Sequence, residues 1–76
     1  MAVEATVLER IAGLTGQIAE LSARRDAAVA EAVATNTRWA DIGGALGVSA
    51  QAAHRRFRWV RWDADSGVVW REPPLA

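Results

Sequence analysis

Apolar residues in the first half of the chain recur at helical spacing. Residues 3–34 contain no proline and are rich in alanine, leucine, arginine and glutamate, which favour helices. The pattern predicts one long helix over residues 3–34. Its apolar stripe consists of five residues at spacings of four, three, four and three, namely Val7, Ile11, Leu14, Ile18 and Leu21.

A second helical pattern follows in residues 37–60, where two short helices are joined by a tight turn. Thr37 is the predicted N-cap of the first helix, which runs to about Leu46. Trp39 and Ile42 recur at helical spacing with Leu46, and Trp39 is therefore interpreted as a core residue. A role for Trp39 in stacking on a ligand is the alternative.

The turn between these helices lies at Leu46, Gly47 and Val48. Gly47 is expected to end the first helix with a positive φ, which glycine adopts without steric cost. Gly43 is expected where the two helices cross, because a side chain there would push them apart. Val48 is predicted to place its side chain in the core, and Ser49 to cap the next helix with its hydroxyl.

The second helix of the pair has an inward apolar face, formed by Ala53, Phe57 and Val60. Its outward residue types suit DNA. Glutamine can bond an adenine edge in two places, arginine can do the same to guanine, and alanine can meet a thymine methyl. Guanidinium groups farther along suit phosphates, and a merely solvated basic face is the alternative. The outward positions are Ala50, Gln51, His54, Arg55 and Arg58, with Arg56 toward one side.

The last part of the chain changes to β-prone residues. Two such runs, residues 60–63 and 68–71, are separated by turn-forming residues, so a short wing-like hairpin is predicted over residues 60–72. The alternative continues the preceding helix to Trp62. Residues 73–76 are predicted to be a tail, because two prolines favour an extended chain there.

Three tryptophans in or next to the hairpin, and two arginines within it, have roles that the sequence suggests. A lone hairpin is marginally stable in water, so Trp59, Trp62 and Trp70 are expected to pack on the helices. Arg61 or Arg71 could contact a flanking phosphate or the minor groove. The alternative is that the hairpin only closes the core.

Composition predicts a thin core in this chain of 76 residues. Although 51% of the residues are apolar, seventeen of them are alanines, which bury little surface, and no cysteine is present to form a disulfide. About 30 helical residues would span roughly 45 Å, more than a helix-turn-helix can cover. The stripe of the long helix is therefore interpreted as a homodimer surface. Packing of that helix on its own domain is the alternative.

Positive charge is concentrated in one part of a chain with zero net charge. Residues 1–31 carry five acids and three arginines, and residues 61–76 carry three acids and two arginines. Residues 32–60 carry four arginines and only one acid, Asp41. This distribution indicates a nucleic-acid contact in the helix-turn-helix region.

Several other function classes are not expected from the sequence. The acidic N-terminal region does not resemble a signal peptide, and no apolar run approaches the roughly 20 residues of a membrane span, so a cytoplasmic protein is predicted. His54, the one histidine, has no suitably spaced carboxylate or nucleophile, so an enzyme is not expected. No metal-ligand spacing or phosphate-binding glycine loop is present, so neither a metal nor a cofactor is expected.

A family resemblance lies in residues 41–57, which read DIGGALGVSAQAAHRRF. This stretch resembles the helix-turn-helix of small bacterial regulators common in G+C-rich species and their phages. It is also similar to the DNA-reading helices of region 4 in bacterial sigma factors. In such sequences an arginine often follows the serine cap, whereas this chain has Ala50. The resemblance implies a mainly α fold with double-stranded DNA as the partner.

Together these features predict a homodimer that binds double-stranded DNA and regulates transcription, with repression as the expected role. A two-fold dimer should recognise an inverted repeat whose half-site centres are about one turn apart. The alternatives are a protein-interaction module that binds polymerase or a partner regulator, and an architectural or recombination accessory protein. The residues predicted to contact DNA are Arg38, Ser49, Ala50, Gln51, His54, Arg55, Arg56 and Arg58.

Overall fold

A computed structural model describes residues 2–72, with side chains from residue 5 onward. The fold is mainly helical with a two-stranded C-terminal sheet, as the sequence pattern predicts. The alternative of a helix reaching Trp62 is wrong, because a strand begins at Val60. The elements are α1 (Ala2–Ala34), α2 (Trp39–Leu46), α3 (Ala50–Phe57), β1 (Val60–Trp62) and β2 (Val69–Arg71). The predicted tail, residues 73–76, lies outside the described residues.

Helix α1 ends in a left-handed turn at Asn36. Asn36 has a φ of 62°, a conformation that asparagine tolerates better than most residues. The amide of Asn36 donates to the carbonyl of Val33 at 3.1 Å, and the amide of Thr37 donates to the carbonyl of Ala32 at 2.9 Å. These two hydrogen bonds satisfy carbonyls in the last turn of α1 and reverse the chain toward α2.

The prediction that Thr37 is the N-cap of α2 is wrong. Because its amide closes the end of α1, Thr37 lies outside α2, and the N-cap is Arg38 in extended conformation. The Arg38 side chain makes no cap hydrogen bond. Its guanidinium instead pairs with the Asp41 carboxylate in the first turn, with Nε 3.0 Å from Oδ2. Helix α2 therefore begins at Trp39, one residue later than expected.

The turn between α2 and α3 packs through its backbone. Gly47 ends α2 with a φ of 77°, as predicted. The Val48 amide donates to the Gly43 carbonyl at 2.9 Å, and a Cβ on Gly43 would lie 2.7 Å from the Val48 carbonyl oxygen and 2.9 Å from that of Ser49. Gly43 thus admits the turn backbone and the start of α3. The prediction for the Val48 side chain is wrong, because it is 45% exposed while its backbone makes the contact.

Ser49 caps α3 as the sequence predicts, since its Oγ accepts a hydrogen bond from the amide of Ala52 at 3.1 Å. Replacing it, Ser49→Ala, should lower the free energy of unfolding by about 1 kcal/mol, because the first turn loses a partner. Urea unfolding measures this difference. Ser22→Ala is the matched control: inside α1, alanine is the better helix former, so stability should not fall. Equal losses in the two variants would contradict a capping role.

The core joins the C-terminal part of α1 to the short helices and β1. It confirms the predicted inward face of α3, since Ala53, Phe57 and Val60 are at most 2% exposed. Trp39 and Leu46 are half-buried and pack against the core from α2, as does Trp62 from β1. Two of its buried members are alanines, so little apolar surface holds the helices together. Among the described residues, the buried apolar side chains of the core are Val29, Ala30, Ile42, Ala53, Phe57 and Val60.

The hairpin pairs β1 with β2 antiparallel, with Arg61 opposite Trp70. At its turn, the hydroxyl of Ser66 donates to Asp63 Oδ2 at 2.8 Å, and the amide of Asp65 donates to Asp63 Oδ1 at 3.1 Å. These hydrogen bonds lower the pKa of the Asp63 carboxyl group, that from Ser66 most strongly. The expectation that Trp70 packs on the helices is wrong, because Trp70 on β2 is 46% exposed.

The apolar stripe of α1 is not covered by the rest of the described chain. Its five residues are 38% to 66% exposed, and Leu8 beside them is 59% exposed. The core contacts α1 farther along the helix, at Val29, Ala30, Ala32 and Val33. The alternative in which this stripe packs on its own domain is therefore wrong for residues 7–21. The molecule measures 52 × 28 × 27 Å, because the N-terminal part of α1 projects from the core.

Candidate nucleic-acid interface

Helix α3 is fixed by its buried face and exposes the opposite one. Phe57 is fully buried and Ala53 nearly so, which orients the eight-residue helix on α2 and the core. Gln51 and Arg55, which lie four apart, are exposed. An amide and a guanidinium are therefore displayed on successive turns of a rigidly held helix. This spacing suits contacts with the edges of neighbouring base pairs.

The arginines at the end of α3 are not neutralised by neighbouring carboxylates of the described chain. Within residues 2–72, no carboxylate pairs with Arg55, Arg56 or Arg58. The Arg56 guanidinium lies 5.1 Å from the centre of the Phe57 ring, and that of Arg58 lies 5.1 Å from the Trp59 ring. Stacking on an aromatic face orients a guanidinium without neutralising it. The three side chains form an exposed basic cluster suited to phosphate contacts.

His54 contacts Trp39, which the sequence pattern does not predict. Its ring meets Trp39 of α2 edge to face, with centroids 5.1 Å apart and planes at 81°. The contact ties α3 to α2 beside the buried face, although His54 itself remains exposed. Residue spacing within one helix gives no sign of a contact between two helices. His54 thus lies at the border between the core and the outward face.

Ala50 is half-buried, so its placement among the outward residues is wrong. The reason is periodic: Ala50 lies three residues before Ala53 and seven before Phe57, on the same side of α3. This spacing could have been recognised in the sequence. Ser49 before it is exposed, but its hydroxyl oxygen is already engaged as the cap. Gln51 is consequently the first residue of α3 on the outward face.

The remaining arginines near this helix are held by partners within the chain. Arg38 pairs with Asp41, although its side chain is 80% exposed. Arg61 pairs with Glu72 at 2.9 Å and also donates to the carbonyl of Arg58, which satisfies an acceptor just beyond α3. Arg71 donates to the carbonyl of Arg56 at 3.3 Å. These contacts favour the interpretation that Arg61 and Arg71 hold the hairpin against α3.

Other kinds of site find little support in the described part of the chain. Residues 2–72 contain no group of three or more histidine, aspartate or glutamate side chains placed to hold a metal ion. Over the same range, no helix has the length and apolarity required to cross a membrane. An open groove of about 350 Å³ lies between α1 and α2 and is mostly apolar in its lining.

Comparison of the chain with models of protein families, with curated proteins and with solved structures gives no match.

Proposed function

We propose that the protein binds double-stranded DNA through the exposed face of α3, as a homodimer that regulates transcription. The observation that carries the proposal is the composition of that face. A helix anchored by Phe57 presents Gln51 and Arg55 outward and ends in a cluster of unpaired arginines. Helices α2 and α3, joined by the turn at Gly47 and the cap at Ser49, have the form of a helix-turn-helix.

The residues of the interface have distinct roles in this proposal. Gln51 and Arg55 enter the major groove and contact base edges, since both side chains can form paired hydrogen bonds with purines. Arg56 and Arg58 contact phosphates on either side of the groove. Arg38 reaches a phosphate only by leaving Asp41, which makes its contribution smaller. The hydroxyl group of Ser49 and the imidazole of His54 lie at the edge of the interface.

Repression is the role that this small interface favours, because a dimer seated on a promoter blocks polymerase without further surfaces. The second candidate is a protein-interaction module, which the exposed apolar stripe of α1 also favours. Selection from a random DNA pool, followed by gel shifts at increasing salt, separates the two. A DNA reader enriches an inverted repeat and loses affinity steeply with salt. A protein-binding module enriches no sequence and leaves DNA unbound at physiological salt.

Replacing the base-contacting residues should weaken binding to the selected sequence. Gln51→Ala and Arg55→Ala should each cost about 1–3 kcal/mol, or about 5- to 150-fold in Kd, because a paired contact with a base is lost. Fluorescence anisotropy with the selected duplex measures the change. The control is Glu9→Ala, which removes an exposed charged side chain from the side of α1 away from the apolar stripe. If a variant carrying both Gln51→Ala and Arg55→Ala bound the duplex as tightly as the control, α3 would not be the helix that contacts bases.

A further inference from the structure

The apolar stripe of α1 is bordered by two flanks of different character. Continuing at helical spacing, the stripe passes through Arg25, Ala28 and Ala32 and reaches the groove beside α2. One flank is polar and charged, with residues seven apart: Arg10, Gln17, Arg24 and Glu31. The other is uncharged and has the same repeat: Leu8, Thr15, Ser22 and Val29. The core packs on the second flank through Val29.

The flanks distinguish the two ways in which two copies of α1 could pair. In a parallel pair, the charged flank of one helix meets the uncharged flank of the other, so Arg10 and Arg24 find no acidic partner on the other helix. In an antiparallel pair, like flanks meet, and charged residues can face each other. Among the side chains that the structure describes, residues 5–72, the carboxylate of Glu31 and the guanidinium of Arg10 have no ion-pair partner. Antiparallel pairing can supply one to each.

Charge also separates the antiparallel registers, which differ by one repeat of seven residues. When Gln17 faces the partner's Gln17, Arg10 faces the partner's Arg24, and like charges repel. When Gln17 faces the partner's Arg24, Arg10 faces the partner's Glu31, and the pair is attractive. In this second register the two-fold axis produces both contacts twice. In the second register the apolar stripes also meet, with Ile18 against the partner's Leu21.

The groove beside α2 favours the same register. Its α1 side is lined by Ala28 and Ala32 and its α2 side by Ala45 and Leu46, among others. These side chains are mostly small, and they leave an open apolar space next to the stripe. In the register with Gln17 against the partner's Arg24, Val7 of each copy lies against the partner's Ala32. Leu8, exposed in a single chain, then lies beside the partner's Val29 at the edge of this groove.

We infer that two copies of this chain pair antiparallel through α1, with Gln17 facing the partner's Arg24 and the N-terminal part of each α1 filling the partner's groove. The inference rests on the self-association included in the proposed function and adds its orientation and register. Arg25 fits because its aliphatic stem can cover the partner's Leu14 while its guanidinium stays with Asp26, 3.1 Å away.

The register sets the distance between the two helix-turn-helix units. Each core joins α1 near residue 31, and the pair is centred near residue 20, so the cores lie about 33 Å apart along the helices. One turn of DNA is about 34–36 Å. The register with Gln17 against the partner's Gln17 gives about 44 Å by the same rise per residue. Because both cores pack on the uncharged flank, both lie on one side of the antiparallel pair.

Cross-linking through introduced cysteines tests the inference without DNA, so it can fail while DNA binding holds. The chain has no cysteine, and Gln17 and Arg24 are exposed. Gln17→Cys and Arg24→Cys are prepared separately, equilibrated together and treated with a short bis-maleimide. We expect covalent dimers in the mixture and little in either variant alone. Circular dichroism of each variant verifies that the helices are retained.

The other outcomes identify what is wrong with the inference. Dimers from Gln17→Cys alone would indicate the register that centres on Gln17. Dimers from Leu14→Cys without dimers from Gln17→Cys alone would indicate parallel pairing. The two Leu14 residues lie about 16 Å apart along the helices in the inferred register and about 6 Å apart in the register that centres on Gln17. The absence of covalent dimers from every variant and mixture would exclude pairing through α1.

Discussion

The double substitution Leu14→Glu with Ile18→Glu is expected to convert the proposed dimer into a monomer. Both side chains lie on the exposed stripe of α1, at 52% and 66% exposure in the single chain. In a pair of α1 helices they are buried, so the variant would place four carboxylates in an apolar seam. Each buried charge costs several kcal/mol, which exceeds what a small interface can offset. Sedimentation equilibrium measures the mass directly.

The matched control places the same charges on the opposite side of α1. Ala12→Glu with Gly16→Glu has the same spacing of four residues, and both positions are exposed. A side chain at Gly16 meets nothing within 4 Å. We expect this variant to remain dimeric and to pair at least as tightly, since glutamate favours a helix more than glycine does at position 16. If the stripe variant also remained dimeric, the interface between copies would lie elsewhere on the molecule.

Gly43→Ala is expected to destabilise the helix-turn-helix, whereas Gly44→Ala should stabilise it. A Cβ at Gly43 would lie 2.7 Å from the carbonyl oxygen of Val48 and 2.9 Å from backbone atoms of Ser49. Backbone cannot move aside as a flexible side chain can, so the loss should be about 3 kcal/mol. At Gly44 a Cβ meets nothing within 4 Å, and alanine should add up to about 1 kcal/mol through helix propensity.

Chemical denaturation measures the free energy of unfolding of the two variants. Both replace glycine by alanine in α2, so a difference between them must come from the surroundings of the two positions. Gly43→Ala should also weaken DNA binding, because α3 must shift away from α2 to accommodate the methyl group. Gly44→Ala should bind DNA as the unmodified protein does. Equal stability of the two variants would show that the turn does not pack against Gly43 in solution.

The helices and their buried faces could be predicted from the sequence because periodicity determines them. The spacing of Ala53, Phe57 and Val60 identifies the face of α3 that the structure buries. Ser49 and Gly47 could be recognised for a related reason, since caps and left-handed turns depend on the chemistry of one residue. The same spacing indicates that Ala50 is partly buried, since it lies seven residues before Phe57.

Features that depend on two elements meeting could not be predicted in this way. The start of α2 depends on how α1 ends, because the hydrogen bond from the Thr37 amide to Ala32 places Thr37 outside α2. The contact between Trp39 and His54 depends on the angle between two helices. Val48 is exposed because its backbone occupies the space beside Gly43. Propensities and spacings along one element carry no information about these distances.

The projection of α1 beyond the core has a consequence for how the protein responds to its own abundance. Residues 5–21 are exposed in the single chain, and an isolated helix of this length containing two glycines is marginal in water. If α1 pairs as inferred, ordering of this segment and association form one cooperative step, favoured by mass action. At low abundance the amount of paired protein then rises with the square of its concentration. A protein with the proposed regulatory function would then respond to a threshold in its own concentration without requiring a small-molecule signal.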